Sequence, residues 1–396
     1  MDLTPAAQAI ALQQSLAGFI EEFGHLSPPP GGARKRPDAR TLAWQRLLVE
    51  HGYAGRWVPC QYGGFGQEPD PVAEMIIADA FAEAELNPGI RDVGTSLVIP
   101  TLLEMGTPGQ KACWIAPTLR QDIVWCQGFS EPEAGSDLTS LRTTATLDGD
   151  DYVINGRKIW TTNAQFADMM ILLCRTEGVP GRAGLSTLLL PMTAPGITVR
   201  PIRTATGTAS FNEVTFDDVR LASDQIVGAP GAGWSVAGVT LKYERLLMGA
   251  SDKATSRLRR LERMIAAKPP SHARDALVDR LMRLQAEALA AKCQTMRATT
   301  DDQRGDGTPL NGLLIKALGA SLALRVSALA VDVNGVAGLR YEPRVDEEED
   351  DATRWYGDNL YDLGLTIGAG SVQVQKDILA ERGLGLPRAV RVAGGR

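Results

Sequence analysis

At 396 residues the chain is too long for one hydrophobic core, so two or three folding units are expected. A hydrophobic share of 44% with 22% charged residues is that of an ordinary globular protein, and a net charge of −6 argues against nucleic acid as the main partner, without excluding a local basic pocket for one phosphorylated ligand. The five cysteines (Cys60, Cys113, Cys126, Cys174, Cys293) form no C-x-x-C pair, and His25, His51 and His272 stand alone, which argues against a disulfide framework, a metal centre and a Ser-His-Asp triad.

Met1-Asp2-Leu3-Thr4-Pro5 lacks a basic start and a following apolar run, and no uninterrupted apolar stretch reaches about 18 residues, so neither a signal peptide nor a membrane span is expected. The expected compartment is a reducing cytoplasm. Residues 1 to about 122 read as helices. Leu12, Leu16, Phe19 and Ile20 share one helical face, and Leu42, Trp44, Leu47 and Leu48 another. A third helix, Val72 to Leu86, carries Met75, Ile76, Ala80 and Phe81. Ser27 to Gly32 and Pro59 to Gly66 are loops by composition.

From 123 to 229 the period changes to two. Asp148-Gly149-Asp150-Asp151 reads as a hairpin turn between Thr143–Leu147 and Tyr152–Ile154. Met169–Cys174 and Ser186–Pro191 read as short strands buried on both faces, and Gly196–Arg203 and Phe211–Phe216 alternate. From 230 to 396 the chain is helical again. Leu277, Leu281, Leu284 and Ala288 form a stripe, and Leu313 to Val333 is apolar on most sides, which predicts the middle of a helical bundle and an oligomer contact. The acidic run Asp346 to Asp351 reads as a solvated loop or helix start.

Two segments carry chemistry. Trp125 to Asp137 (WCQGFSEPEAGSD) ends in small residues and hydroxyls, which can bring backbone N–H groups and a Ser hydroxyl close to an anionic or carbonyl-rich ligand. Asn155 to Asn163 (NGRKIWTTN) sets an indole beside two hydroxyls and an amide, suited to packing on a flat heterocycle and bonding its edge. Alone, Ser136-Asp137 is most simply a turn cap and Trp160 a core residue. Together, at this spacing and between strands, the pair resembles the flavin-binding middle domain of the acyl-CoA dehydrogenases. The order helices, β domain, helical bundle extends the resemblance over essentially the whole chain, most strongly over 125–176 and 212–245.

The resemblance implies an α+β fold: an N-terminal α-helical domain (1–122), a middle β-barrel-like or sandwich domain (123–229) and a C-terminal four-helix bundle (230–396). It implies FAD as cofactor and removal of two hydrogens from an acyl-CoA thioester, giving the trans-2-enoyl-CoA. A carboxylate takes the α-proton while hydride leaves the β-carbon for flavin N5. It further implies that Gln127, Phe129 and Ser130 lie at the isoalloxazine ring, with Ser130 on its pyrimidine edge. Ser136 would reach the pyrophosphate or the pantetheine, Trp160 would pack on the flavin, and Thr162 would bond near N5. Glu133 departs from the family's E-P-G-A-G-S-D run and must point away from the phosphates.

Many members carry the catalytic Glu in a run like I-Y-E-G-T-S-Q-I-Q; here Ile367 to Gln375 (IGAGSVQVQ) has Ala369 at that position. Other members place it on a helix just before an Arg, where this chain has Lys242-Tyr243-Glu244-Arg245. Glu244 is therefore the expected base, though a Glu-Arg dipeptide is commonly an exposed helix pair. An enclosed acyl pocket would desolvate it and raise its pKa from about 4.3 toward neutrality. Arg245 would order the site or bind the C-terminal segment. Gly370 and Gln373 are expected at FAD, with Gln375 a further polar contact, and Ala369 frees volume for a bulky or branched acyl chain. The family's R-x-x-F-G-x-P element is absent between 256 and 270, leaving Arg257, Arg259 or Arg260 as substitutes, a different grip, or a partner chain. Electron-transfer flavoprotein is the implied acceptor and a homodimer or homotetramer the implied assembly. The alternatives are a same-fold flavin oxidase or monooxygenase and a non-catalytic partner subunit of a heteromer.

Overall fold

The computed structural model describes residues 7–29, 36–176, 178–249, 252–340 and 352–387. The acidic run at 346–351 and Gly31-Gly32 lie outside the described residues. The chain separates into two compact units, one reaching Glu244 and the other starting at Arg245.

Five helices open the first unit: α1 (Ala7–Phe23), α2 (Ala39–Glu50), α3 (Pro71–Glu83), α4 (Ile99–Met105) and α5 (Pro108–Leu119). Their starts follow from capping. The Asp38 carboxylate accepts from Thr41 N at 2.7 Å, Asp70 accepts from Val72 N at 2.9 Å, and Thr107 with Gln110 forms a capping box. Leu16, Phe19, Trp44, Leu48 and Phe81 close a core between α1, α2 and α3. Helix α3 stops three residues short of the expected Leu86, because Glu85 takes a left-handed φ of 52° that no continuing helix allows.

The middle of the chain forms one eight-stranded sheet: β1 (Trp125–Gly128), β2 (Thr144–Asp148), β3 (Asp151–Thr162), β4 (Met169–Arg175), β5 (Leu185–Pro191), β6 (Ile197–Ile202), β7 (Phe211–Ala222) and β8 (Ile226–Val227). The path runs β6-β7-β3-β2-β4-β5-β8, with β1 pairing β4. The hairpin falls where expected, with Gly149 at φ 64° between β2 and β3. Strand β3 runs eight residues beyond Ile154, because Asn155 pairs with Thr144 of β2 and Gly156 to Thr162 runs along β7. Strands β4 and β5 are buried along six of their seven residues, as apolar runs without alternation require.

Helix α6 (Gly233–Gly249) follows, then α7 (Asp252–Ala266), α8 (His272–Arg304), α9 (Pro309–Asn334), α10 (Ala352–Leu365) and α11 (Val372–Ile378). In the second unit α9 packs against α7, α8, α10 and α11, the central position its all-round apolarity predicts. Leu258, Leu261, Leu281, Leu284, Leu322, Val326, Leu329 and Trp355 form the bundle core. Among the described residues, only the span Leu310–Leu339 is long and apolar enough to cross a membrane, and 56% of its most apolar window is buried within the protein, as in a core helix.

Candidate functional site

The two motifs meet through a buried ion pair. Lys158, on β3, is 0% exposed and donates from Nζ to Glu131 Oε1 at 2.8 Å and to the Phe129 carbonyl at 3.1 Å. The Glu131 carboxylate also accepts from the backbone N–H groups of Arg142 (2.6 Å) and Thr143 (2.9 Å). Ile159 N donates to the Ser130 carbonyl at 2.9 Å. Burial pushes the Glu131 carboxyl up, but the Lys158 ammonium and the hydrogen-bond donors outweigh it and hold the pKa below its ordinary value. For Lys158, burial pulls the pKa down and Glu131 offsets part of that. Neither residue stood out in the motifs. The available signal was Lys158 itself: it follows Tyr152 and Ile154 on the inward positions of β3, where an ammonium needs an acid partner.

Beyond Lys158 the strand breaks its alternation. The β3–β7 register shifts between Lys158 and Thr161, and Trp160 sits in that bulge at φ 60°. An unbroken strand would send residues 158, 160 and 162 to one face. The bulge instead buries Lys158 and Thr161 and turns Trp160 and Thr162 outward. The indole is 55% exposed, with Phe211 edge-on at 6.1 Å. Phe129 is a core side chain in the same buried cluster as Leu102, Trp125 and Leu138, so what it offers a site is its backbone. Ser130 and Gln127 are half-buried. Ser136 lies on an exposed loop with Gly135, and a Cβ at Gly135 would meet open space. Glu133 is drawn to Arg157 at 2.7 Å, which gives this exposed carboxylate a cation of its own.

Glu244 is half-buried on α6, whose first turns are fixed within the first unit. A Cβ on Gly233 would stand 2.4 Å from Ser186 Cα, so the helix starts directly on β5. Thr101 and Thr240 share a buried hydroxyl bond of 3.0 Å, and Tyr243 donates to Glu104 at 2.7 Å. In the second unit, Arg245 lies beside Gly312 of α9.

The segment joining α10 to α11 is also held. Buried Lys316 donates to the carbonyls of Leu365 (2.7 Å) and Gly370 (3.1 Å). Gln375 donates to those of Ala369 and Gly370, both at 3.0 Å, which ties its amide nitrogen to this turn, while its Oε1 is buried with no hydrogen-bond partner among the described residues. Ala369 is left-handed at φ 55°, Gly370 is exposed at φ 82°, and Gln373 is exposed on the first turn of α11. Of the expected arginines, Arg257 is spent on Asp362 (2.7 Å) and Asp358 (3.3 Å), and Arg260 lies over Trp355 at 4.8 Å. Arg259 and Arg263 are exposed. Arg263 heads R-M-I-A-A-K-P at the end of α7, which keeps the Arg and Pro of R-x-x-F-G-x-P with Ala266-Ala267 in place of Phe-Gly. The full pattern hid it.

The residues fit FAD: an outward indole, an adjacent hydroxyl, and a Ser130 whose N–H and Oγ have no partner among the described residues. Among those residues no group of three His, Cys, Asp or Glu could hold a metal. The family descriptions matched are the acyl-CoA dehydrogenase N-terminal domain over 9–122, the middle domain over 126–219 and the C-terminal domain over 231–384. Acyl-CoA dehydrogenase IpdE1 of Mycobacterium tuberculosis is 37% identical over 386 residues, covering 96% of each chain. The human mitochondrial short-chain specific acyl-CoA dehydrogenase is 34% identical over 192 residues, 48% of this chain and 46% of that one. Among solved structures, the Tcur3481-Tcur3483 steroid ACAD superposes with a TM-score of 0.80 at 28% identity, covering 98% of this chain and 100% of that one. The ChsE4-ChsE5 complex from Mycobacterium tuberculosis matches with the same values. The chain belongs to the acyl-CoA dehydrogenase family and is an FAD-dependent flavoprotein oxidoreductase of acyl-CoA metabolism.

Proposed function

We propose that this enzyme carries out α,β-dehydrogenation of an acyl-CoA thioester with Glu244 as the base. The carrying observation is the turn at Ala369: it holds no carboxylate and is closed on itself by Gln375 and Lys316, whereas α6 presents a half-buried Glu244 from a helix anchored on β5 and α4. The Glu244 carboxylate takes the α-proton of the thioester, and the electron pair left at Cα forms the new double bond as hydride leaves Cβ. When bound, FAD supplies the acceptor for that hydride. Trp160 and Thr162 flank the ring, Ser130 donates to its pyrimidine edge, and Ser136 reaches the pyrophosphate or pantetheine. In the second unit, Arg245, Ala369, Gly370 and Gln373 are the residues this reading assigns to substrate and cofactor. Arg263 is the guanidinium for the FAD pyrophosphate. Electrons pass on to an electron-transfer flavoprotein in the cytoplasm, and the chain divides into domains at about 122 and 229.

Ala369 leaves room for a bulky acyl group. With the steroid dehydrogenase among its relatives, this favours a steroid-derived acyl-CoA. Two-component complexes among the relatives favour a second reading of assembly, in which a sister chain completes the enzyme.

The test is anaerobic bleaching of the flavin by steroid-derived and straight-chain acyl-CoA esters. Glu244→Gln keeps the shape and should lower the rate by about 10²–10⁴-fold while the thioester still binds. Normal bleaching by Glu244→Gln rejects the base. Retained FAD with no bleaching until a sister chain is added moves the reading to a heteromer. Steady oxygen consumption with peroxide release would make it an oxidase.

A further inference from the structure

We infer that the buried Lys158–Glu131 pair is a positioning device that aims the backbone N–H of Ser130 as a fixed donor at the pyrimidine edge of the cofactor. Lys158 Nζ takes the Phe129 carbonyl at 3.1 Å, so that carbonyl points into the protein. Among the described residues there is no cis peptide bond, and a trans peptide sets its N–H opposite its C=O. The N–H of Ser130 therefore points out of the interior, and no described residue accepts from it. The next peptide is fixed as well, because the Ser130 carbonyl accepts from Ile159 N at 2.9 Å. Ser130 is clamped on both sides while its own N–H and hydroxyl stay unused.

A simple structural role accounts poorly for the pair. Burying two charges costs several kcal/mol each before their attraction is counted, and an apolar pair of equal volume commonly serves stability as well or better. What an apolar pair cannot supply is a cation that holds the Phe129 carbonyl inward. Charge builds on the N1/C2=O edge as a flavin is reduced, and a donor fixed in advance stabilises that charge without reorganising. Glu131 keeps Lys158 charged and in place, and its own second set of acceptor sites is filled by Arg142 and Thr143 N–H.

This inference rests on the reading that Ser130 faces that edge, and the experiment separates the two. The Glu131→Gln/Lys158→Met enzyme removes both charges together, with folding followed by circular dichroism and melting. Its reduced flavin should lose at least about tenfold more affinity than its oxidised flavin, a fall of about 30 mV in the two-electron potential. An unchanged potential, with or without a lower melting temperature, overturns the inference and leaves a structural pair. Independently of that variant, Ser130→Ala removes the hydroxyl and keeps the N–H. With FAD labelled with ¹³C at C2, the infrared C2=O band of Ser130→Ala should stay below that of free FAD; a return to the free value overturns the inference even if the double variant does not fold. Trp160→Ala is run alongside. If it leaves FAD affinity and spectrum unchanged, the placement of the cofactor falls, and this inference with it. If Trp160→Ala weakens FAD while the double variant keeps its potential, only the inference falls.

Discussion

At the scale of single residues, the site depends on one irregularity, the bulge that turns Trp160 outward beside Thr162. Pattern reading could name both residues but had no means of placing the bulge, since alternation assumes an unbroken strand. Lys158 illustrates the same limit from the other side: its inward phase after Tyr152 and Ile154 calls for an acid, but only the fold identifies that acid as Glu131, 27 positions earlier in the chain. Trp160→Ala removes the exposed indole without touching the core. FAD binding should weaken by about 1–3 kcal/mol, the worth of stacking a flat heterocycle on an aromatic side chain. Fluorescence titration of the apoprotein measures this, and unchanged affinity would place the flavin elsewhere. Gly233→Ala sets a methyl group 2.4 Å from Ser186 Cα and should destabilise the protein by about 1–3 kcal/mol. Turnover should fall as well, because the start of α6 shifts and Glu244 is carried with it. Thermal melting beside kcat checks both, and loss of neither would mean that α6 adjusts freely.

At the scale of elements, the succession of helices, sheet and helices was legible because hydrophobic period changes from 3.6 to 2 and back. The all-round apolarity of Leu313 to Val333 likewise gave away the central helix α9. Helix ends were read less well: α3 stops early at a left-handed Glu85, and nothing in the composition of a Glu announces that conformation. A crossing that no period betrays joins α6 to α9. A Cβ on Gly319 would stand 2.3 Å from the Gly249 carbonyl, and a Cβ on Gly249 would stand 2.8 Å from the Ile315 backbone. The two backbones touch because neither residue has a side chain. Gly319→Val should force the helices apart and cost several kcal/mol, at or above the usual 1–3 of overpacking. Chemical denaturation would read it, and a neutral result would show that α9 slides to relieve the contact.

At the scale of the whole molecule, acid should act through the buried carboxylate. The folded pKa of Glu131 lies below its ordinary value of 4.5, so its contribution to stability is fully present above the unfolded value and is lost as pH falls through the folded one. Asp362 carries the opposite sign. Burial raises its pKa above 3.8 despite Arg257, so its penalty is present at neutral pH and is relieved on acidification through the folded value toward 3.8. Melting temperatures of wild type and Glu131→Gln from pH 7 to pH 3 should therefore converge at the acid end. Parallel curves would mean that Glu131 titrates alike folded and unfolded. The parallel pairing of β1 with β4 has a further consequence. It ties Trp125–Gly128 to Met169–Leu172, so the chain from 129 to 168, which holds the first signature segment beyond β1 and the whole of the second, is a loop with both ends stitched together. Its closure entropy is met by protein hydrogen bonds and apolar packing rather than by the cofactor. Stripping FAD should thus leave a preformed cradle: amide exchange in β1 and β4 should stay slow in the apoprotein, and added FAD should be recaptured in a single bimolecular phase, without the slow step that refolding would impose.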